Sequence, residues 1–360
     1  MTTPQTKGTI LITGAGGLVG GQIIREALES GFSVRIAARS ASSASRTASR
    51  FPSHASRLST AVVADMTTAA SYAPAFADGA ITAVVHAASP FVLAPRDNVQ
   101  DLLVPATRGA TAILDAVRAY GGGAGKVRSV VATSSFAAVV DVGRGRREGH
   151  TYTEADWNPA TWEEAAAAAD GVVAYCASKA LAERGMWAWM DDAQRKGGGG
   201  AAVGFGLTTI CPPWVFGPYA WELSDTKGLS ESIGLLDRIL DAEAVPPFDF
   251  GGYADAREVA AAHVRAIERP EMAAGRRFIV GQGFRYQAAV DAAREALPEL
   301  RGRLPVGTPG EWVDAYEIDG GAAERVLGVR YGRLRDTVRD TYVQLLRARE
   351  LEGGGEGVRG

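Results

Sequence analysis

Cysteine, histidine and lysine are all scarce in this chain. Two cysteines, Cys176 and Cys211, occur among 360 residues. They form no spaced metal-ligand pair and cannot make a disulfide framework, so a reduced intracellular protein is the simplest expectation. The four histidines, His54, His86, His150 and His263, lie far apart, with none at i, i+4. That spacing argues against a metal site. Charge of either sign is in little excess, with a net value of −3 and a pI near 5.9. The basic surface that nucleic acid or an anionic membrane selects is therefore not expected. No apolar run approaches the ~18 residues of a membrane-spanning helix. The opening MTTPQTKG has no signal-peptide apolar core, so the expected location is cytoplasmic.

Apolar residues make up 46% of the chain and are ordered into a regular alternation. Runs at 8–14, 32–38, 59–65, 81–89, 126–135 and 206–212 are apolar throughout and read as buried strands. Helical spacing appears at 17–30, with Gly31 suited to end that helix, and at 107–120. Strands without an inside–outside alternation, separated by helices, imply a parallel sheet covered on both faces. The expected fold is α/β, a Rossmann-type doubly wound sheet with a smaller, mostly C-terminal substrate-binding part. Residues 1–211 are assigned to the dinucleotide-binding domain. Residues 212–345, richer in proline and aromatics, are assigned mainly to substrate binding, with 248–285 returning to the sheet. Residues 346–360 read as a flexible tail, and glycine runs at 121–125 and 197–200 read as surface turns. The serine- and arginine-rich stretch 39–50 reads as a solvated loop leading into a helix.

The first strand ends in TGAGGLVG, which places Gly14, Gly17 and Gly20 in a G-x-x-G-x-x-G spacing. Val19 stands where the strict G-x-G-x-x-G pattern has its last glycine. Glycines let the backbone turn tightly against a pyrophosphate whose charge faces a helix N-terminus. NAD enzymes usually carry an acid at the end of the second strand to bind the ribose 2′-hydroxyl. This chain has Ala38 and Arg39 there instead, and a guanidinium suits a 2′-phosphate. NADP(H) is therefore the expected cofactor, with Arg46 as a second cation and Asp65 near the adenine edge.

Tyr175 and Lys179 stand at i, i+4, on one helix face. With five lysines in the chain, about 10 × 5/360 such pairs arise by chance, so the pair carries information. A phenol of pKa ~10 is a weak acid–base at neutral pH, and a nearby ammonium lowers that value. Ser134 and Ser135 end the fifth strand at the carboxyl edge of the sheet, where ligands bind in such folds. Either a helix or strand cap or a substrate contact would explain a serine pair there.

The blocks TGAGGLVG, VVHAASP, ATSSFAAV, YCASKALAER, CPPWVFGP and YADAREVAAAHVRAIERP resemble, in order and spacing, those of extended short-chain dehydrogenase/reductases. HAASP, SKALAER and PPWVFGP are similar to the group of dihydroflavonol, cinnamoyl-CoA, methylglyoxal and fungal aldehyde and ketone reductases. The resemblance implies that Ser135 binds the substrate carbonyl and Tyr175 donates the proton. It implies that Lys179 lowers the tyrosine pKa and holds the nicotinamide ribose. Cofactor contacts are implied for Leu18, Val19, Met66, Ala87, Ala88 and Ser89, with Pro212 and Val215 bordering the nicotinamide. Cys211 replaces the family's asparagine beside Pro212, and Ala106 stands where many members have the asparagine of a proton relay. Substrate-pocket candidates are Phe91, Val92, Phe136, Trp214, Tyr219 and Trp221, each of which would also serve as plain core. The implied activity is NADPH-dependent reduction of ketones, aldehydes or keto esters to chiral alcohols, by a monomer or homodimer. Phe136, Ala137 and Ala138 follow the strand-end serines where dehydratases carry an acidic pair. Two alternatives remain: another enzyme of this family acting on sugar nucleotides, steroids or flavonoids, and a non-catalytic NADP(H)-binding redox sensor.

Overall fold

The computed structural model describes residues 6–89, 92–122, 126–196 and 203–356. The chain begins with β1 (Thr9–Thr13), α1 (Leu18–Glu29), β2 (Ser33–Ala38), α2 (Ala41–Ala48) and β3 (Leu58–Val62). It continues through α3 (Ala73–Phe76), β4 (Ile81–His86), α4 (Val104–Tyr120) and β5 (Ser129–Thr133). The short β6 (Thr151–Tyr152) and α5 (Trp162–Ala167) lead to the long α6 (Gly171–Lys196), then β7 (Gly206–Cys211) and β8 (Trp214–Phe216). The last part holds α7 (Glu231–Ile239), β9 (Tyr253–Asp255), α8 (Ala256–Glu268), α9 (Pro270–Ala273) and β10 (Arg276–Ile279). Helix α10 (Tyr286–Ala296), β11 (Glu317–Ile318) and α11 (Leu334–Glu356) complete it.

Seven strands form one parallel sheet in the order β10-β7-β5-β4-β1-β2-β3. The order reverses between β1 and β4, and a crevice opens beyond the carboxyl ends of such a pair. Central strands are buried on both faces: Ile10, Leu11 and Ile12 of β1 and Val84 and Val85 of β4 have no exposed surface. Two small parallel pairs, β8–β9 and β6–β11, stand apart from this sheet.

Helix α1 ends as its sequence suggests. Gly31 has φ +90°, and its N–H reaches the Leu28 carbonyl while the Phe32 N–H reaches that of Ala27. This paired closure needs a left-handed residue, which glycine adopts without a Cβ penalty. The serine-rich stretch folds as α2, because the Ser40 hydroxyl accepts from the Ser43 N–H at 3.2 Å and caps the helix. The segment from 346 is not a free tail up to Glu356: α11 continues through it, and Ala348 is buried. The glycine turns at 123–125 and 197–200 and the last four residues lie outside the described residues. Helix α8 packs on α1 and β10 extends the sheet beyond β7, so the late part of the chain buttresses the early part. Among the described residues no helix is long and apolar enough to cross a membrane.

Candidate active site

A cleft of about 770 Å³ opens at the switch between β1 and β4. Its floor is the turn from β1 into α1. Gly14 has φ +66°, and a Cβ there would lie 2.6 Å from the Ala87 carbonyl group. A Cβ on Gly20 would lie 2.2 Å from the Gly14 oxygen, so Gly20 lets α1 sit close against the turn. Helix α1 starts with no side-chain cap and no acidic residue in its first turn. Its first backbone N–H groups and its positive dipole end therefore suit an anion.

Gly14, Gly17, Arg39, Asp65, Met66, Ala87, Ala88 and Ser89 all line this cleft. The exposed Arg39 stands at its far end, beside Ser43 and Thr47 of α2. Thr47, Ser43 and Tyr72 are lining residues that the sequence pattern did not single out. Their signal was the Ser40 cap, which turns α2 toward the end of β2. Arg46 is not a lining residue. It is exposed on α2, one position before the buried Thr47, and helix geometry directs the two to different sides. Leu18, Val19, Gly20, Pro212 and Val215 also lie outside the lining. Leu18 and Val215 are buried in the apolar core, which Val19 also packs against. The Asp65 carboxylate accepts from the Thr67 N–H at 2.8 Å and hydroxyl at 2.7 Å, which holds its pKa below the ordinary range.

The catalytic candidates meet at the near end of the cleft. Helix α6 is started by Asp170, whose carboxylate accepts from the Val172 N–H at 2.8 Å. At Gly171 a Cβ would lie 1.9 Å from the Leu93 carbonyl oxygen, so only glycine admits the loop that crosses the helix there. One turn on, the Tyr175 hydroxyl is hydrogen-bonded to Ser135. Lys179 follows, nearly buried, and donates from Nζ to the Ser89 hydroxyl at 2.6 Å. Ser89 lines the cleft, so Lys179 ties α6 to it. Ser135 lies where β5 runs into a short turn, with its hydroxyl accepting from the Ala137 N–H at 3.1 Å. The Pro212 carbonyl accepts from the Phe136 N–H at 2.9 Å, which places Pro212 beside Ser135.

Burial sets the electrostatics. It raises the Tyr175 phenol well above its ordinary value, a shift the bond with Ser135 offsets only in part. The expected depression by Lys179 is not seen. The ammonium lies 5.2 Å from the ring centroid and directs its bond at Ser89 instead. Burial also lowers the Lys179 amine to about 8, a shift the Cys176 thiol slightly offsets. Tyr175 therefore keeps its proton at neutral pH, which suits an acid that donates and not a base that accepts.

Behind this face a second cavity, of about 30 Å³, is bounded by Lys179, Ser134 and Glu183. Helix α4 offers it Ala106 and Ala110, so no amide reaches Lys179 from that side. Cys211 is buried and its thiol points to Glu183 at 3.6 Å, away from the role of the asparagine it replaces.

The pocket aromatics separate into two groups. Phe136 has no exposed surface and is packed by the rings of Tyr152, Phe250 and Tyr316, so it supports Ser135 from the core. Trp214 donates from Nε1 to the Phe250 carbonyl and packs edge-on to its ring, 5.8 Å away. Tyr219 and Trp221 belong elsewhere. The Tyr219 hydroxyl accepts from the Ser230 N–H, and its ring packs on Trp221. Trp221 occupies the space over Gly21 of α1, with Phe51 edge-on and the Arg50 guanidinium 3.9 Å above its ring. These two residues join α1 to the C-terminal part and are not pocket walls. Val92 is half-buried, and Phe91 lies outside the described residues.

Comparison with known proteins places this geometry. A model of the NAD dependent epimerase/dehydratase family matches residues 10–281. An NADPH-dependent methylglyoxal reductase of Saccharomyces cerevisiae is 33% identical over 94% of this chain and 98% of its own. A ketoreductase of Aspergillus niger is 31% identical over 94% of this chain and 97% of its own. The crystal structure of a yeast methylglyoxal/isovaleraldehyde reductase complexed with NADPH superposes with a TM-score of 0.86. That structure is 33% identical and covers 95% of this chain and 99% of its own.

Proposed function

The chain belongs to the NAD dependent epimerase/dehydratase family, the extended short-chain dehydrogenase/reductases, and on that premise we propose that it is an NADPH-dependent carbonyl reductase with Tyr175 as its acid. It is an oxidoreductase of carbonyl and alcohol groups, and its cofactor is NADP(H). Its substrates are small ketones, aldehydes or keto esters, reduced to chiral alcohols. The observation that carries the reading is the bond from Lys179 to Ser89, which joins the Tyr175–Ser135 pair to the glycine-lined cleft.

The residues of the cleft fit a phosphorylated dinucleotide. The turn at Gly14–Gly17 and the uncapped start of α1 match a pyrophosphate, and Arg39 with the N-terminus of α2 matches a 2′-phosphate. When bound, NADPH supplies hydride to the carbonyl carbon. Ser135 donates its hydroxyl proton into a hydrogen bond on the substrate oxygen and holds it beside Tyr175. The Tyr175 O–H gives that oxygen its proton as charge grows there, and burial keeps the phenol neutral and protonated beforehand. Lys179 brings positive charge next to the developing anion, in surroundings dry enough to strengthen it. Phe250 packs on Phe136, the residue after Ser135, and Trp214 packs on Phe250, an apolar cluster in keeping with aryl or alkyl carbonyls.

The test is oxidation of NADPH, beside NADH, by the purified protein with a panel of aromatic and aliphatic carbonyls that includes methylglyoxal. Turnover with NADPH is expected, and Tyr175→Phe should reduce it by about 10²–10⁴-fold while leaving NADPH affinity intact. Undiminished turnover in Tyr175→Phe would remove the assigned acid. Tight NADPH binding without turnover of any carbonyl would favour a redox sensor.

A further inference from the structure

The three residues that end β5 and enter its turn, Thr133, Ser134 and Ser135, all carry hydroxyls, and each bonds a different residue. Thr133 meets Nε2 of His263 on α8 at 2.8 Å. The other ring nitrogen, Nδ1, lies 2.7 Å from the Val259 carbonyl, which can only accept, so Nδ1 carries the proton. Burial lowers His263 to about 4, so the ring is neutral, Nε2 is bare and Thr133 donates to it. Ser134 donates to Oε2 of Glu183 at 2.6 Å. Ser135 meets Tyr175.

Glu183 lies eight residues after Tyr175 and four after Lys179, on the same face of α6. Its side chain is buried. Its carboxylate accepts from strands on both sides: Thr209 of β7 at 2.6 Å, Arg277 of β10 at 2.7 Å and 3.2 Å, and Ser134 at the end of β5. Arg277 is itself fixed by the carbonyls of Glu154 and Asp156 and by the Trp157 ring 3.5 Å below its guanidinium. One carboxylate thus joins the helix of Tyr175 to three adjacent strands of the sheet.

We infer that Glu183 is a positioning residue for the reduction, acting through Ser134 to set where Ser135 stands relative to Tyr175. The inference rests on the proposed roles of Ser135 and Tyr175. Because Ser134 is bonded to Ser135, its anchoring fixes the direction of the next side chain. Because Glu183 shares a helix face with Tyr175, the same bond fixes the rotation of α6. Glu183 and Ser134 border the small cavity behind Lys179 and not the cofactor cleft, so the inference predicts an effect on the chemical step with cofactor affinity unchanged.

Four proteins test this on one carbonyl from the active panel: wild type, Ser134→Ala, Glu183→Gln and the double variant. Ser134→Ala should lower kcat by about 10- to 100-fold, the range expected for a reacting group displaced by up to 1 Å. The dissociation constant for NADPH should not change. The deuterium isotope effect with 4-deuterated NADPH should rise, because hydride transfer becomes slower than the steps around it; loss of folded enzyme alone leaves that ratio unmoved. In the Glu183→Gln background Ser134→Ala should cost little more, since the two act through one bond. Should Glu183→Gln fold poorly, kcat and the isotope effect of Ser134→Ala decide alone. Full kcat and an unaltered isotope effect in folded Ser134→Ala would overturn the inference, as would fully additive losses in the double variant. A wild type without turnover, or an active Tyr175→Phe, would instead refute the reductase reading.

Discussion

Replacing Lys179 by methionine should make the protein more stable while it removes activity. The Lys179 ammonium is nearly buried and donates to the neutral Ser89 hydroxyl. Burial lowers its pKa from 10.5 to about 8. A shift of that size corresponds to about 3 kcal/mol of stability lost by holding the charged form in the fold. The bond to Ser89 returns about 1 kcal/mol, so methionine, of similar length and without charge, should gain about 2 kcal/mol at pH 7. For a chain of 360 residues, at about 1.3 °C per kcal/mol, the melting temperature should rise by about 2–3 °C. The sign with pH follows from linkage. A lysine whose folded pKa is lowered binds fewer protons in the native than in the unfolded state between pH 8 and 10.5. Native stability therefore rises with pH across that window, and the gap between wild type and Lys179→Met should narrow there. The assay is thermal unfolding of both proteins without cofactor at pH 7 and pH 10. A second readout is the pH profile of kcat/KM for NADPH, which reports groups of the free enzyme. It should fall about tenfold per unit above pH 8 as the ammonium is lost, well below any limb from the raised Tyr175 phenol. A less stable Lys179→Met at pH 7, or a difference that does not change with pH, would refute the reasoning.

Two further substitutions separate cofactor reading from packing. Arg39→Ala should weaken NADPH by about 10- to 100-fold, the worth of a charged hydrogen bond to phosphate, and leave NADH nearly unaffected. Competitive binding of the two nucleotides measures this, and an equal loss for both would mean that Arg39 does not meet the 2′-phosphate. Trp221→Ala should lower stability by about 2–3 kcal/mol, somewhat less than for a fully buried tryptophan. Its KM for carbonyl substrates should not change; a raised KM in an otherwise stable variant would return Trp221 to the pocket.

The parts legible in the sequence are those whose chemistry is local. Gly14 and Gly17 are tied to a strand on one side and a helix on the other, and Tyr175 with Lys179 needs only one helical turn. Arg39 follows from counting past the glycine loop. What stayed hidden depends on distant partners. Lys179 followed by Glu183 at i+4 looks like a solvated pair on a helix face. Its carboxylate is instead committed to Arg277, 94 residues later in the chain, and nothing in the local pattern marks that arginine. The aromatics after β7 failed for a related reason. Trp214 and Trp221 follow the same strand end, but Gly21 of α1 leaves a gap that only the second fills. Arg46 was placed by charge alone, and the phase of α2, set by the Ser40 cap, turns it outward. The spacing of Tyr175 and Lys179 shows the neighbouring charge but not the burial, and it is burial that raises the phenol in the folded protein.

The pairing of Glu183 with Arg277 also sets an order in time. During synthesis α6 emerges long before β10. Until residue 277 is in place, the helix that carries Tyr175 and Lys179 holds a carboxylate whose cation has not yet been made. Parallel strands so far apart in the chain close slowly, after more local elements have formed. The substrate-facing machinery is therefore finished from behind, by the edge strand of the sheet. A chain cut short before β10 would retain the glycine turn, Ser135, Tyr175 and Lys179 yet leave their common anchor unsatisfied.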